Sequence, residues 1–247
     1  MKILIFLILT VLLQGTGTNH SKNQQSSSDP GEKILLMTAE AMGGLENLQK
    51  IKNFRVTTRS ILWLTSTKVN LEVTETILLP DKTKQILKME QGTRIQILNG
   101  KKGWKQIAGK TSPLSQVELK EMQRGLFRDT IHLFQSFVKK EVTIRYLGEE
   151  RIGGKTFYIL QIKNPTGDFF NLYIDAESLL IYKKTYQGSA EVQLARLEEI
   201  YSEYQTVDGI KIPFHVLVRA RGAKFMESDV LEVHFNLPIK ESFFLPE

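Results

Sequence analysis

Four histidines are the side chains of this sequence best suited to acid–base or metal chemistry, and they are widely separated. They are His20, His132, His215 and His234. None of them has the close spacing that places two ligands on one helix face. There is no cysteine, which excludes disulfides and thiolate metal sites. His215 and His234 can meet across predicted strands, but a histidine pair without a third ligand is more often structural, so we predict no metal.

The serine and aspartate residues offer no stronger signal for catalysis. Ser189 and Ser202 lack the glycines that flank the nucleophile of an α/β-hydrolase. Asp208 precedes Gly209, a pair typical of a hairpin turn. We therefore predict that the protein is not an enzyme and needs no cofactor. A hydrolase of an apolar ester, using His215 or His234, is the alternative that these residues leave open.

The first 31 residues predict secretion. Residues 1–17 combine a basic start, an apolar run at 3–13 and small residues at 15–17, as in a cleavable signal peptide. The apolar run is about half of the roughly 20 residues that span a bilayer. Residues 18–31 are polar and predict a disordered tether, which leaves one domain at 32–247. Without cysteine the chain cannot be a bacterial lipoprotein, so we expect a periplasmic protein of the cell envelope that is not lipid-anchored.

Two helical regions are expected. Apolar residues at three- and four-residue spacing predict a helix from residue 32 to 51, which Gly43-Gly44 divides into two short helices. Ser112-Pro113 and the capping-box pattern of Ser115 and Glu118 offer two starts for a second helix, which is expected to run to about residue 137. This helix has a wide apolar side. It either fills the concave side of the sheet as core or forms a movable lid over a hollow, with Gly125 as its weak point.

The rest of the chain has the pattern of strands separated by short turns, which requires antiparallel neighbours. The predicted strands are residues 54–64, 68–79, 84–91, 94–98, 104–107, 143–151, 156–163, 169–174, 179–186, 192–205, 210–220 and 229–235. A sheet of ten or more twisted strands curls. We therefore predict an α+β fold: a strongly curved antiparallel half-barrel with helices covering its concave face.

Several turn motifs resemble those of the bacterial lipoprotein-sorting family, the LolA/LolB carriers. They are Leu79-Pro80-Asp81-Lys82 at a strand junction and Asn99-Gly100-Lys101-Lys102-Gly103-Trp104 before a later strand. The segments at 41–45, 207–213 and 236–246 are similar to envelope relatives of the same fold. The carriers usually have an arginine before the turn proline, where this chain has Leu79. As a remote member of this family, the chain is expected to bind a lipid or a lipidated protein.

An acyl chain accepted into a dry groove gains about 0.8 kcal/mol for each buried methylene, so such a carrier needs no polar chemistry. We predict an apolar hollow between sheet and helices. Its expected lining is Trp63, Leu71, Val73, Leu87, Met89, Trp104, Phe157, Ile159, Leu172 and Phe214 from the strands, with Met122, Leu126 and Phe134 from the helix. The alternative is a non-catalytic envelope interaction module of the same fold, with a filled core.

Basic residues are concentrated between residues 82 and 110. Lys82, Lys84, Lys88, Arg94, Lys101, Lys102 and Lys105 belong to this segment, whose one acid is Glu90. They form either a solvated outer face or a surface for an anionic membrane or a membrane-protein partner. Nucleic acid is not expected as a partner of a secreted chain without a recognised binding motif. We expect a monomer.

Overall fold

The computed structural model describes residues 29–65, 67–190 and 193–246, and at 189, 190, 193 and 194 it describes the backbone alone. One antiparallel sheet dominates it, with the strands β1 Asn53–Trp63, β2 Lys68–Leu78, β3 Lys82–Met89, β4 Gly92–Asn99, β5 Lys102–Ile107, β6 Lys110–Pro113, β7 Thr143–Ile152, β8 Lys155–Lys163, β9 Phe169–Asp175, β10 Ile181–Ala190, β11 Gln193–Val207, β12 Ile210–Ala220 and β13 Ala223–Phe235. Their order in the sheet is β6-β5-β4-β3-β2-β1-β13-β12-β11-β10-β9-β8-β7. The chain therefore builds one wing of the sheet from β1 outward to β6. It then returns at the far edge and builds inward from β7 until β13 pairs with β1. The sheet is not closed into a barrel, and the predicted α+β half-barrel is confirmed.

The strands follow the short connections of the sequence. The short strand β6 was not predicted, because Pro113 suggested a helix start. In the structure this proline sits at the sheet edge, where a missing N–H costs nothing.

The first helices bend where the sequence predicts. Helix α1 spans Pro30–Ala41 and α2 spans Leu45–Lys50, with Gly43 and Gly44 at positive φ between them. Asp29 caps α1 by accepting a hydrogen bond from the Gly31 backbone. The helix thus includes residues 30 and 31, the last two of the expected tether.

The second helical region differs from the prediction. Helix α3 spans Gln116–Arg128 and begins with the expected Ser115–Glu118 capping box. Asp129 then interrupts it in an extended conformation and caps a separate helix α4, Thr130–Val138, by accepting from the His132 backbone. The break therefore lies at Asp129 rather than at Gly125, because an aspartate side chain there satisfies the free N–H groups of a new helix.

The helices pack on one face of the sheet, which we call the concave face. Large apolar side chains from α1, α2, α3 and α4 form one cluster with strand residues on both wings, including Phe54, Ile77, Leu98, Leu160 and Leu172. A short 3₁₀ helix, Glu241–Phe244, lies instead on the opposite, convex face, where Phe243 approaches Arg55 and Lys84. No helix in the described residues is long and apolar enough to cross a membrane.

Candidate functional site on the concave face

Cross-strand partners share a face, so the residues paired with Phe54 and Ile77 identify the concave side of each neighbouring strand. Nine of the predicted lining residues lie on that side. They are Leu71, Val73, Leu87 and Met89 on β2 and β3, Leu172 on β9, Phe214 on β12, and Met122, Leu126 and Phe134 on the helices. The structure therefore places most of the set on one side of the sheet, but not at one site, because Leu172, Met122, Leu126 and Phe134 belong to the core under the helices.

The other four, Trp63, Trp104, Phe157 and Ile159, lie on the convex face, which does not agree with a role in the hollow. Trp63 is paired with Lys68, and Trp104 is paired with Ile97. The ring centroid of Phe157 lies 4.5 Å from that of Tyr182. Ile159 is paired with Tyr173. Strand side chains alternate, so a one-residue offset sends a large apolar side chain to the opposite face.

The half of the concave face under the helices is filled. Phe134 of α4 and Leu172 of β9 are fully buried, as are Leu133 and Leu160 beside them. Phe127 of α3 packs edge-on against Phe170, with ring centroids 5.2 Å apart. For this half, the expectation of ordinary core agrees with the packing.

A polar cluster around the buried Lys184 fixes the junction between α3 and α4 to the sheet. The Lys184 ammonium on β10 donates to the Arg128 carbonyl oxygen at 2.5 Å and to Thr130 Oγ1 at 2.8 Å. Burial lowers the pKa of Lys184, while the nearby Glu199 and Asp129 carboxylates act against this shift. The Arg128 guanidinium lies 4.0 Å from the Tyr186 ring centroid.

Carboxylates on both wings complete this cluster. Glu199 on β11 accepts hydrogen bonds from the Tyr186 and Tyr201 hydroxyls. Burial raises the pKa of both tyrosines well above the usual range, and Glu199 adds to the shift. Glu75 on β2 accepts from Gln85 and Thr83, yet burial raises its pKa, with Asp129 and Glu199 contributing. Sequence reasoning missed this cluster, because charged strand residues normally indicate a solvated face.

Beyond the helices, the concave face continues as an apolar surface that we call the open trough. It consists of Leu62, Leu71, Val73, Leu87, Met89, Val216, Val218, Met226 and Val230. None of them belongs to the core cluster under the helices. Leu71 and Val218 are buried and the others are half-buried. The trough crosses five strands, about 19 Å at roughly 4.8 Å per strand spacing.

The polar groups within the trough are paired with one another. Ser60 Oγ lies 2.8 Å from Ser228 Oγ across the β1–β13 pair, and Thr58 Oγ1 lies 3.3 Å from Ser60 Oγ. Ser60 and Ser228 are both buried. A hydroxyl pair that satisfies itself leaves no demand for a polar ligand. The trough therefore presents a surface suited to an apolar guest.

A separate cleft lies at the other end of β2–β5, between the strand turns and the helices. Its volume is about 280 Å³. Leu98, Leu126 and Phe127 form its apolar wall, and Pro80, Asp81, Gly100, Lys101, Gln123 and His132 complete its lining. Gln123 donates to the Gly100 carbonyl oxygen at 3.1 Å. The two turn motifs that suggested the family resemblance thus meet at this cleft.

The predicted basic surface is divided by the sheet. Lys88 lies on the convex face beside Glu72, Lys82 contacts Asp81, and Lys84 is buried near the Phe243 ring. Arg94 and Lys105 point to the concave side, where both approach Glu118, at 3.6 and 2.7 Å. Lys101 and Lys102 are exposed in the β4–β5 turn. The charge summed along the sequence does not show which face a side chain points to. Because strand side chains alternate, these seven residues lie on different surfaces.

Glu118 is therefore the internal partner of two of these seven basic residues, Arg94 and Lys105. Burial acts to raise the pKa of the Glu118 carboxyl group, but hydrogen bonds from Lys105 and Ser115 outweigh it, so this pKa is lowered. Lys105 and Glu118 join β5 to the first turn of α3.

The three histidines in the described part of the chain lie apart from one another, and His20 lies outside it. His132 lies at the cleft, and burial lowers its pKa. His215 lies on the convex face, with Nδ1 2.8 Å from Asp229 and Nε2 3.4 Å from Glu227. His234 approaches Glu232 at 3.5 Å. Within the described residues, no group of three or more histidine, aspartate or glutamate side chains has the arrangement of a metal site.

Neither family models nor curated protein sequences match this chain. Solved structures do. A DUF1329 family protein from Desulfovibrio piger matches with a TM-score of 0.60 at 11% identity, over 88% of this chain and 98% of that one. A LolA superfamily protein from Nitrosomonas europaea matches with a TM-score of 0.60 at 12% identity, over 87% and 98%.

A third structure is described as an outer membrane lipoprotein-sorting protein domain from Vibrio parahaemolyticus. It has a TM-score of 0.56 at 10% identity and covers 87% of this chain and 96% of its own. The chain therefore has the fold of the LolA superfamily, and the resemblance noted in the turn motifs is confirmed for the fold.

Proposed function

We propose that this chain is a non-catalytic carrier or binding protein that receives an acyl chain, of a lipid or of a lipidated protein, in the open trough. The observation that supports this most is the half-buried state of seven of the nine apolar trough residues outside the helix-covered core. Each methylene transferred from water to this surface contributes about 0.8 kcal/mol. The shared fold with lipoprotein-sorting proteins supports the same proposal.

The cellular setting that fits this role is the periplasm, reached through cleavage of the 1–17 segment. That segment and most of the expected tether lie outside the described residues, so both remain predictions. Within the proposal the protein acts as a monomer, and the acyl chain is its only required ligand.

Native mass spectrometry of the full chain, purified under mild conditions from cells that produce it, tests the proposal. We expect adducts with the masses of acyl lipids, which organic solvent removes and a fatty acid added back restores. If the protein carries no adduct and does not take up the added fatty acid, the proposal is wrong.

A non-catalytic envelope interaction module is the second candidate. The packing under the helices favours it, since Phe134, Leu133 and Leu172 are fully buried there. This candidate predicts an adduct-free protein with no affinity for fatty acid, so the same measurement separates the two.

A further inference from the structure

Two neighbouring hairpins end at the edge of the trough that is farthest from the cleft. We call residues 61–65, 67–70 and 217–227 the hairpin tips. They belong to the β1–β2 and β12–β13 hairpins, which lie side by side because β1 pairs with β13, with Leu62 opposite Met226. Only a few residues of the hairpin tips belong to the trough, and none belongs to the core cluster.

The hairpin tips combine apolar and basic side chains. Leu62, Trp63, Leu64, Phe225 and Met226 are half-buried, and none is part of the core cluster. Four exposed basic residues stand among them, Lys68, Arg219, Arg221 and Lys224, against one acid, Glu227.

Trp63 is at the centre of this arrangement. The Lys224 ammonium lies 4.6 Å from the Trp63 ring centroid, and the Lys68 ammonium lies 5.8 Å from it. Lys224 also contacts Glu227 at 2.8 Å, which leaves the positive excess of the tips in place. An indole beside two ammonium groups thus lies at the end of the β1–β2 hairpin.

Such a combination suits the boundary between lipid headgroups and acyl chains. Tryptophan is enriched at this boundary because its ring is apolar and its N–H is polar. Lysine and arginine near a membrane surface are attracted by its anionic headgroups, and each one adds to the binding. A soluble polyanion would use the basic residues but give the apolar side chains no partner. We propose that the hairpin tips dock on an anionic lipid bilayer, with Trp63 at the level of the headgroups.

This proposal goes beyond the carrier function and does not need the trough to be occupied. It also places the anionic-membrane contact at a different surface from the 82–105 segment, whose basic residues point in several directions.

The two tryptophans of the chain allow a direct test. In the full chain carrying W104F, Trp63 is the one emitter, and in W63F it is Trp104. Vesicles of phosphatidylcholine containing one third phosphatidylglycerol are compared with pure phosphatidylcholine. The apolar segment at 3–13 is common to all variants, so the emission of Trp63 reports on the tips themselves.

We expect Trp63 emission to shift to the blue and to be quenched by brominated acyl chains on the anionic vesicles. Trp104 should show neither change. In the W104F chain, K68Q/K224Q should lower partitioning by about tenfold or more, as expected for two lost contacts with an anionic surface. K101Q/K102Q removes the same charge from the opposite end of the strands and should leave partitioning unchanged.

Three results would overturn the proposal. These are no change in Trp63 emission on anionic vesicles, an equal response to pure phosphatidylcholine, and a loss of binding in K101Q/K102Q instead of K68Q/K224Q. Circular dichroism of each variant checks folding. If K68Q/K224Q is not folded, two other measurements test the role of the charge. K68R/K224R keeps the positive charge and should bind like the W104F chain. Raised salt screens the charge and should weaken binding.

Discussion

Lys184 donates a hydrogen bond to the backbone carbonyl oxygen of Arg128, 2.5 Å away, at the residue where helix α3 ends. A strand side chain thus satisfies a helix terminus and also contacts Thr130, the first residue of α4. The carbonyl groups at a helix end need such partners, because no later turn supplies them. Lys184 therefore joins the helix junction to the wing of the sheet formed by β7–β12.

Replacing Lys184 with methionine should release that junction. We expect a loss of about 2 kcal/mol in unfolding free energy, since two part-buried acceptors each lose a hydrogen bond worth about 1 kcal/mol. Hydrogen exchange of the backbone amides around Asp129 should become faster. Lys183→Met is the matched control, because Lys183 lies on the convex face near Tyr173 and Glu198. Equal exchange rates at the junction in both variants would contradict this role.

Glu75 should lower stability at neutral pH. Its pKa is raised in the folded protein, so the native state holds its proton more tightly than the unfolded chain does. Stability from this group is therefore greatest in acid and declines as pH rises from the unfolded pKa through the folded pKa. Glu75→Gln keeps an oxygen to accept from Gln85 and Thr83. We compare the unfolding free energy of this variant with that of the parent chain at two pH values. The variant should be the more stable of the two, and by a larger margin at pH 7 than at pH 4. An equal margin at both pH values would show that Glu75 has no such effect.

Glu118 should have the opposite pH dependence. Its pKa is lowered in the fold, so its contribution is present above the unfolded pKa and is lost as pH falls through the folded pKa. We expect Glu118→Gln to cost about 2 kcal/mol at pH 7, because Lys105 and Arg94 lose a nearly buried partner. Chemical denaturation at several pH values measures this. Glu46→Gln, on an exposed helical pair, should have little effect.

Asp129 should matter for the start of α4. Its side chain accepts from the His132 backbone at 2.9 Å, and alanine cannot replace this bond. We expect Asp129→Ala to cost about 1 kcal/mol, and Asp129→Ser, which can still cap, to cost less. Thermal unfolding of the two variants side by side gives the comparison. Equal losses would mean that capping is not what this residue contributes.

The sequence predicts the bend between α1 and α2 and the capping box of α3, because glycine pairs and Ser-x-x-Glu act locally. It predicts one helix over 115–137, although Asp129 ends it, since the apolar pattern continues on both sides of the break. The faces of Trp63 and Trp104 are missed for a different reason. Three consecutive apolar residues, 61–63, end β1 and occupy both of its faces, so the alternation of apolar and polar residues does not show which face Trp63 is on.

The buried cluster lies further from what a single sequence can reveal. Lys183-Lys184 has the composition of an exposed strand, yet the second lysine points to the concave side. Glu199 is the cross-strand partner of Lys184 in the β10–β11 pair, whereas the helix junction reaches Lys184 only through the return of the chain from β7 to β13. Contacts of this kind depend on topology, whereas caps and turns depend on neighbouring residues.

In the proposed carrier the open trough, and no other surface, receives the acyl chain. Leu87 and Ile86 are neighbours on β3 that point to opposite faces, Leu87 into the trough and Ile86 to the convex side. Titration of the full chain with a dansyl-labelled fatty acid compares Leu87→Arg with Ile86→Arg, with circular dichroism as the folding control. We predict that Leu87→Arg weakens binding at least about tenfold, since a charge in an apolar site is costly, and that Ile86→Arg binds like the parent chain. Equal affinities in the two folded variants would contradict the claim.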